Sequence, residues 1–281
     1  MIQAFWAKQK FKLMQGSVQN QKIRLHDITL NTRVDGKAGK PWVIFSNSLL
    51  TDLSMWDEEA LALADRFHIL RYDQRGHGYS DVPSQACSFS QLADDVVGLM
   101  DHFNIAEAAF VGVSMGCVTG LALAARYPNR ISRMLLCDGP AQSPQEAPAL
   151  WQSRFDFACN NGMAALVELT LQRWFGSDVL VAPSARMLQL QHAMERTPIQ
   201  GFIACAEALK TFNYSADLPN IAIPTLLLAG ATDYDLPAAM ATMAKTMPQA
   251  KFRKIMRAGH LPNIQWPALF LACLEEALAY I

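Results

Sequence analysis

Hydrophobic positions along the chain follow two alternating periods. Short apolar runs bounded by turn residues predict buried strands, whereas apolar residues spaced three or four positions apart predict helices. The predicted strands are 41–48, 68–76, 108–114, 133–139, 224–233 and 250–256, with an antiparallel pair over 22–34, and the predicted helices are 57–67, 89–104, 118–126 and 266–281. Strands that alternate with helices are typical of a mostly parallel sheet flanked by helices. The pattern therefore predicts an α/β fold.

The alternation stops between the strand that ends near Asp138 and the strand that begins at Pro224. Residues 146–215 are rich in Ala, Leu, Met, Gln and aromatic residues, and they show no strand pattern. A helical segment inserted between two parallel strands lies across the carboxyl ends of the sheet, where α/β proteins bind ligands. We therefore expect an N-terminal extension over 1–22, a core formed by 23–145 and 216–281, and a helical cap over 146–215.

Charge and hydropathy exclude several classes of partner. The chain has 281 residues, and its 24 Lys and Arg nearly balance its 25 Asp and Glu, so it has no charge excess to attract nucleic acid. The segment 1–16 carries three lysines among apolar residues, which indicates an amphipathic helix rather than a secretory signal. No apolar run reaches the length of a membrane-spanning helix. We expect a small-molecule substrate, no nucleic acid and no stable membrane insertion.

The cysteines indicate a reducing compartment. Cys87, Cys117, Cys137, Cys159, Cys205 and Cys273 are scattered, with no C-x-x-C pair and no spacing typical of a metal site. Several of them lie among apolar residues, where a reduced cysteine packs as a small hydrophobic side chain. We therefore expect a cytoplasmic protein with no metal site.

One serine stands between two glycines at a predicted strand-to-helix junction. The stretch "AFVGVSMGCVTG" (109–120) places Gly112, Ser114 and Gly116 after an apolar run and before a helical pattern. In this position G-x-S-x-G forms a strained turn that holds the hydroxyl above the sheet, and the glycines leave room for nearby backbone. Glycine and serine also occur in ordinary turns, but the junction favours a nucleophilic serine.

A nucleophilic serine needs a base to take its proton and an acid to orient that base. Where this serine turn occurs, the acid and then the histidine follow along the chain. His260 lies in the loop between the last predicted strand and the last helix, the position that this order requires. Asp233 and Asp235 both follow the strand 224–233, and Asp233 is preferred because it is closer to the strand end. Asp138, at the end of an earlier strand, is an alternative acid.

Two backbone amides are placed to stabilise the oxyanion of an acyl-transfer reaction. The N–H of Met115, directly after the serine, is one donor. The loop after the strand 41–48 supplies the second donor, which by position is the N–H of Leu49. One preorganised donor of this kind typically lowers the barrier by about 3 kcal/mol. The backbone, rather than the Leu49 side chain, carries this role.

The predicted cap contains aromatic and cationic side chains that suit a small planar or carboxylated molecule. Trp151, Arg154, Trp174 and Lys210 are the candidate substrate-binding residues, because an arginine fork recognises a carboxylate. Aromatic residues also attach a cap to its core, and cationic residues form surface ion pairs. A structural role is therefore the alternative for each of them.

Several segments resemble one known family. They are "SNSLLTDLSMWD" (46–57), "RYDQRGHGYSDVP" (71–83), "GVSMG" (112–116), "RWF" (173–175) and "AGHLPNIQWP" (258–267). From about residue 24 onward the chain resembles the α/β-hydrolase superfamily and, within it, the 3-oxoadipate enol-lactonases and their relatives. The resemblance implies a Ser114–His260–Asp233 triad, an oxyanion hole formed by the Leu49 and Met115 amides, and no cofactor. It also implies a hydrolase for a small ester or lactone, with 3-oxoadipate enol-lactone as the specific expectation.

The chain departs from those lactonases around the substrate rather than in the triad. Asp138-Gly139 replaces an Asn-Thr-like pair, Lys210-Thr211 replaces an Arg-Asp pair, and Gln265 replaces an acidic residue in the histidine loop. The alternative functions are therefore a carboxylesterase or a C–C bond hydrolase acting on another small metabolite. A non-catalytic receptor or scaffold on the same fold is a further alternative, which the loss of a triad residue would favour.

Overall fold

The computed structural model describes residues 19–279, which form an eight-stranded sheet in the order β1-β2-β4-β3-β5-β6-β7-β8. The strands are β1 (Gln21–Arg24), β2 (Thr29–Gly36), β3 (Trp42–Ser46), β4 (His68–Tyr72), β5 (Ala108–Val113), β6 (Ile131–Cys137), β7 (Thr225–Gly230) and β8 (Ala250–Ile255). The β1–β2 and β2–β4 pairs are antiparallel, and all the other pairs are parallel. The predicted mostly parallel sheet is confirmed.

The helices flank this sheet, and the bounds of all four predicted helices differ from the observed ones by a few residues. They are α1 (Asp57–Leu63), α2 (Phe89–His102), α3 (Met115–Arg126), α4 (Ala147–Phe175), α5 (Ser177–Leu180), α6 (Ala185–Glu195), α7 (Ile199–Lys210), α8 (Leu236–Thr246), α9 (Pro262–Gln265) and α10 (Pro267–Leu278). Helix α3 begins at Met115 rather than Val118, because Ser114 alone makes the turn from β5. Trp266 separates α9 from α10, because helical backbone angles are disfavoured at the residue before a proline, here Pro267.

The core lies against the central strands. Every residue of β5 and β7 is buried, as expected for parallel strands that helices cover on both faces. Helix α3 packs so closely on this part of the sheet that a Cβ on Gly120 would collide with the side chains of Phe110 and Leu136. The amphipathic helix expected over residues 1–16 lies outside the described residues. Within the described part, no helix is both long and apolar enough to cross a membrane.

Helices α4 to α7, residues 147–210, are called the insertion helices here, and they connect β6 to β7. Helix α4 is kinked at Gly162, whose φ of 83° is accessible to glycine at little steric cost. Side chains of α4 and α7 line the same cavity as Ser114, which follows β5. The insertion helices therefore lie over the carboxyl end of the central strand.

Two close contacts fix the insertion helices to the rest of the chain. Gly201 of α7 packs on Gly76, and a Cβ on either glycine would collide with the backbone of the other. Arg186 of α6 pairs with Glu58 at 3.0 Å and with Glu59 at 2.7 Å, both on α1. Burial raises the pKa of Glu59, although the charge of Arg186 opposes that effect. The insertion helices are thus held at α6 and α7 by backbone contact and by a partly buried ion pair.

Candidate active site

Ser114 occupies a strained turn that the neighbouring glycines make possible. Its φ of 58° and ψ of −112° lie in a region that residues other than glycine rarely adopt. A Cβ on Gly112 would strike the carbonyl of Gly116, and a Cβ on Gly116 would strike the carbonyl of Ser46. The N–H of Ser114 donates to the carbonyl of Cys137 at 2.8 Å, which ties the turn to β6. The two glycines are therefore required by the close approach of three backbone segments.

His260 connects Ser114 to Asp233. Its Nε2 lies 2.8 Å from Ser114 Oγ, and its Nδ1 lies 2.6 Å from Asp233 Oδ2. Burial opposes ionisation of Asp233, but the positive charge of His260 when it is protonated and hydrogen bonding with His260 and Asp138 together hold the pKa of Asp233 below its usual value. An ionised Asp233 fixes the proton of the neutral imidazole on Nδ1. That tautomer leaves Nε2 free to accept the proton of the Ser114 hydroxyl.

The three acids that the sequence offered occupy different places. Asp233 is buried and pairs with His260. Asp235 is exposed at the start of α8 and lies on the rim of the cavity. Asp138 is buried at the end of β6, and its carboxyl faces Asp233 rather than His260. Within residues 19–279, Asp233 is the acid that forms a hydrogen bond with the imidazole.

The amides of Leu49 and Met115 are both available to a ligand. Leu49 lies in the loop after β3 and lines the cavity with Ser114, and Met115 is the first residue of α3. The N–H of Gly116 donates to the carbonyl of Asn47 at 3.0 Å, which holds that loop against the start of α3. In the described part of the chain, neither the Leu49 N–H nor the Met115 N–H has a hydrogen-bond acceptor. Buried backbone donors are normally paired, so these two suit a ligand oxygen.

A cavity of about 770 Å³ lies over Ser114 and His260. Its walls include Trp151, Arg154, Thr170, Trp174 and Phe202 of the insertion helices. Helix α8 adds a further wall through Leu236, Ala239 and Met243. No cluster of His, Cys, Asp or Glu among residues 19–279 is arranged to hold a metal ion. The cavity is large enough for a small metabolite together with a substituent.

Arg154 places a cation inside this cavity. Its guanidinium lies 4.9 Å from the centre of the Trp151 ring, and no carboxylate within the described residues forms an ion pair with it. Burial and the nearby charge of Arg173 lower the pKa of Arg154 to about 10, so the side chain is still charged at neutral pH. A half-buried charge without a counter-ion is costly. The site therefore suits a ligand that brings an anionic group.

Trp174 lines the cavity and also contacts the histidine. Its ring stacks on the His260 imidazole with the ring centres 5.2 Å apart and the planes at 28°. The backbone N–H of His260 donates to the backbone carbonyl of Trp174 at 3.0 Å, and a Cβ on Gly259 would collide with the same carbonyl. The end of helix α4 therefore holds the histidine loop in place. The sequence predicted a contact with substrate for this tryptophan, with attachment of the cap to the core as the alternative, and Trp174 both lines the cavity and contacts the core.

Lys210 does not line the cavity, in contrast to the expectation from the sequence. Its ammonium donates to Glu207 at 2.8 Å and to Gln152 at 3.1 Å. Glu207 lies three residues earlier on the same helix, a spacing that brings opposite charges together. The helical spacing of Glu207 and Lys210 is compatible with this ion pair. The position of Lys210 in the predicted cap did not distinguish pairing with Glu207 from contact with a substrate.

Other cavity residues were not singled out from the sequence. Leu166 and Thr170 of α4 face the cavity one helical turn apart, and Tyr234 lies at its rim. Helical spacing shows that Leu166 and Thr170 share a face. It does not show which face of α4 turns toward the cavity, because apolar and polar residues are mixed around this helix.

Comparisons with known proteins agree with this architecture. A family model described as the α/β hydrolase fold matches residues 41–267. The 3-oxoadipate enol-lactonase 2 of Acinetobacter baylyi is 32% identical over 256 residues, which cover 91% of this chain and 95% of that protein. The crystal structure of the enol-lactonase from Burkholderia xenovorans matches with a TM-score of 0.88 and 35% identity, covering 92% of this chain and 100% of the other. An esterase structure from Thermogutta terrifontis matches with a TM-score of 0.85 and 27% identity, covering 93% and 98% of the two chains. The resemblance drawn from the sequence is confirmed: the chain belongs to the α/β-hydrolase family, and it is a hydrolase.

Proposed function

We propose that the protein is a serine hydrolase that cleaves a small ester or lactone by acyl transfer. The observation that carries this proposal is the pair of hydrogen bonds at the cavity wall. Ser114 Oγ lies 2.8 Å from His260 Nε2, and His260 Nδ1 lies 2.6 Å from Asp233 Oδ2. A base within reach of a hydroxyl, itself oriented by a carboxylate, is the arrangement that activates a serine.

In the first half of the proposed reaction, His260 Nε2 accepts the proton as Ser114 Oγ attacks the substrate carbonyl. The amides of Leu49 and Met115 donate to the oxygen that becomes negative. The bond from the acyl carbon to the leaving oxygen then breaks, and His260 returns the proton to that alkoxide or enolate. Asp233 stays ionised and stabilises the imidazolium, a role that its lowered pKa supports.

In the second half, a water molecule takes the place of the leaving group. His260 accepts the water proton while the water oxygen attacks the acyl carbon attached to Ser114. The same two amides hold the second oxyanion. The bond between the acyl carbon and Ser114 Oγ then breaks, the proton passes from His260 to Ser114, and a carboxylic acid leaves.

We further propose that the substrate carries a carboxylate, which Arg154 binds. This guanidinium lies in the cavity without a carboxylate partner among the described residues, and it is stacked over Trp151. Arginine forms strong bidentate hydrogen bonds with carboxylates. Enol-lactonases named for 3-oxoadipate are among the proteins that the chain resembles. The enol-lactone of that dicarboxylic acid keeps one free carboxylate, so it is the first substrate to test.

A carboxylesterase is the second candidate function, and the size of the cavity favours it. A volume of about 770 Å³ exceeds what a six-carbon lactone fills. Leu236, Ala239 and Met243 of α8 form an apolar wall that a larger acyl or alcohol group would cover. An esterase is also among the solved structures that the chain resembles.

The test is turnover of a substrate panel by the purified protein beside Ser114→Ala. The panel contains 3-oxoadipate enol-lactone, short and medium p-nitrophenyl esters, and a vinylogous diketone for C–C hydrolysis. We expect the lactone to be hydrolysed fastest and Ser114→Ala to lose at least about 1000-fold. Ser215→Ala, at the mouth of the same cavity, is the control and keeps full activity.

The other outcomes separate the alternatives. Fast ester turnover beside slow lactone turnover assigns a carboxylesterase, and fast diketone turnover assigns a C–C hydrolase. If Ser114→Ala keeps full turnover, the serine mechanism is wrong. If the wild-type protein turns over none of the panel but binds one of its members, the receptor alternative is favoured.

A further inference from the structure

Two carboxyl groups meet beneath His260. Asp138 directly follows β6, and Asp233 follows the neighbouring strand β7. The two side chains are close enough to share a hydrogen bond. Asp138 is 1% exposed and Asp233 is 5% exposed. Two carboxylates in contact, away from water, repel each other strongly, so one of them keeps a proton at neutral pH.

The surroundings of Asp233 favour its ionised form. Its Oδ2 lies 2.6 Å from His260 Nδ1, and the charge of Arg173 on α4 also acts on it. These groups and the hydrogen bond from Asp138 outweigh burial, and the pKa of Asp233 is lowered. Asp233 is therefore the carboxylate of the pair.

The surroundings of Asp138 favour its neutral form. Two hydrogen bonds oppose this, because its Oδ1 accepts from the N–H of Gly230 at 2.9 Å and its Oδ2 accepts from the Cys137 thiol at 3.0 Å, and donors of this kind stabilise a carboxylate. Burial and the neighbouring Asp233 outweigh them. Cys117 of α3 is the other titratable group nearby, and burial raises the pKa of its thiol, so it brings no charge. Burial and the charge of Asp233 raise the pKa of Asp138 well above its usual value. No cation within residues 19–279 pairs with Asp138.

We propose that Asp138 is a positioning residue that holds a proton and donates it in a hydrogen bond to Asp233, fixing that carboxylate against His260. The inference rests on the proposed role of Asp233 as the acid of the triad. One Asp233 oxygen accepts from Asp138 and the other is left for His260 Nδ1. Asp138 is rigidly placed for this task, because its own N–H donates to the Leu228 carbonyl at 3.0 Å.

Asparagine is the matched substitution at this position. Its amide donates a hydrogen bond as the neutral carboxylic acid does, and its oxygen accepts from the Gly230 N–H. Asp138 has a φ of 48°, a left-handed conformation that Asn also tolerates. Asp138→Asn therefore mimics the proposed neutral form at every pH, whereas Asp138→Ala removes the donor.

The first experiment measures the melting temperatures of wild type and Asp138→Asn between pH 5 and pH 8. A carboxyl whose pKa is raised on folding releases a proton on unfolding, so wild-type stability falls as pH rises above the unfolded pKa. Asn does not titrate. We therefore expect the melting temperature of Asp138→Asn, relative to wild type, to rise steadily across this range. A difference that is constant with pH would mean that Asp138 is ionised in the folded protein, which overturns the proposal.

The second experiment measures turnover of the best substrate from the panel by both variants. We expect Asp138→Asn to stay within about threefold of wild type, and Asp138→Ala to lose about tenfold or more in kcat with little change in KM. If Asp138→Asn is as inactive as an Asp233→Asn variant, an ionised Asp138 is required and the proposal is wrong. Full kcat in Asp138→Ala would also contradict it. The melting data do not depend on turnover, so this proposal can fail or hold separately from the serine mechanism.

Discussion

Replacing Arg154 with methionine removes the cavity cation and keeps an unbranched side chain over Trp151. In the wild-type protein the guanidinium lies 4.9 Å from that ring and has no carboxylate partner among the described residues. A charge-assisted hydrogen-bonded pair contributes about 1.5–3 kcal/mol. At about 1.4 kcal/mol for each tenfold change, the KM for a carboxylated substrate should rise roughly 10- to 150-fold. Because the carboxylate is remote from the reacting carbonyl, kcat should change little.

The assay compares kcat and KM for two substrates that differ in one group, a carboxylated ester and its neutral methyl ester. Arg154→Met should weaken binding of the first and leave the second within about twofold, since only the first carries the charge. Lys210→Met is the matched control, because that ammonium is paired with Glu207 outside the cavity wall. Equal loss on both substrates, or no loss on either, would refute the argument that Arg154 binds a carboxylate.

Two further predictions concern contacts made by the insertion helices. Trp174→Ala should lower kcat about 2- to 10-fold, because the stack on His260 contributes about 0.5–1.5 kcal/mol. Steady-state kinetics measure this change, and an unchanged kcat would mean that the Trp174 ring is not needed to hold the imidazole. Arg186→Met should lower the free energy of unfolding by about 3–5 kcal/mol, because Glu59 is left buried without its partner. Urea unfolding measures that loss, which Glu59→Gln in the same variant should partly restore, and a loss below about 1 kcal/mol would contradict the argument.

The parts of the fold that depend on local rules could be predicted from the sequence. The central strands are continuous apolar runs because both faces are buried, and β5 and β7 were located for that reason. Ser114 was located because its turn requires glycine on both sides. His260 was located by chain order, and the structure places its ring between Ser114 and Asp233.

The parts that depend on side-chain partners could not be predicted. The sequence indicated that Lys210 would bind a substrate, but its ammonium donates to Glu207, which lies one helical turn earlier on the same helix. It offered Asp138 as an alternative to Asp233, and the structure brings the two carboxyls into contact, because β6 and β7 are neighbours in the sheet. The order of the strands along the chain does not show that β6 and β7 are neighbours in the sheet. It also does not show that the end of α4 lies against the histidine loop, where Trp174 stacks on His260.

Labelling the protein with a fluorophosphonate and locating the adduct by mass spectrometry tests most directly whether Ser114 is an activated nucleophile. Such a reagent phosphonylates a serine only when a neighbouring base activates it. We expect one adduct per chain, on Ser114, with no label in Ser114→Ala and labelling about a thousandfold slower in His260→Ala. An active protein that takes no label, or takes it on a different residue, would contradict the claim that Ser114 is the nucleophile.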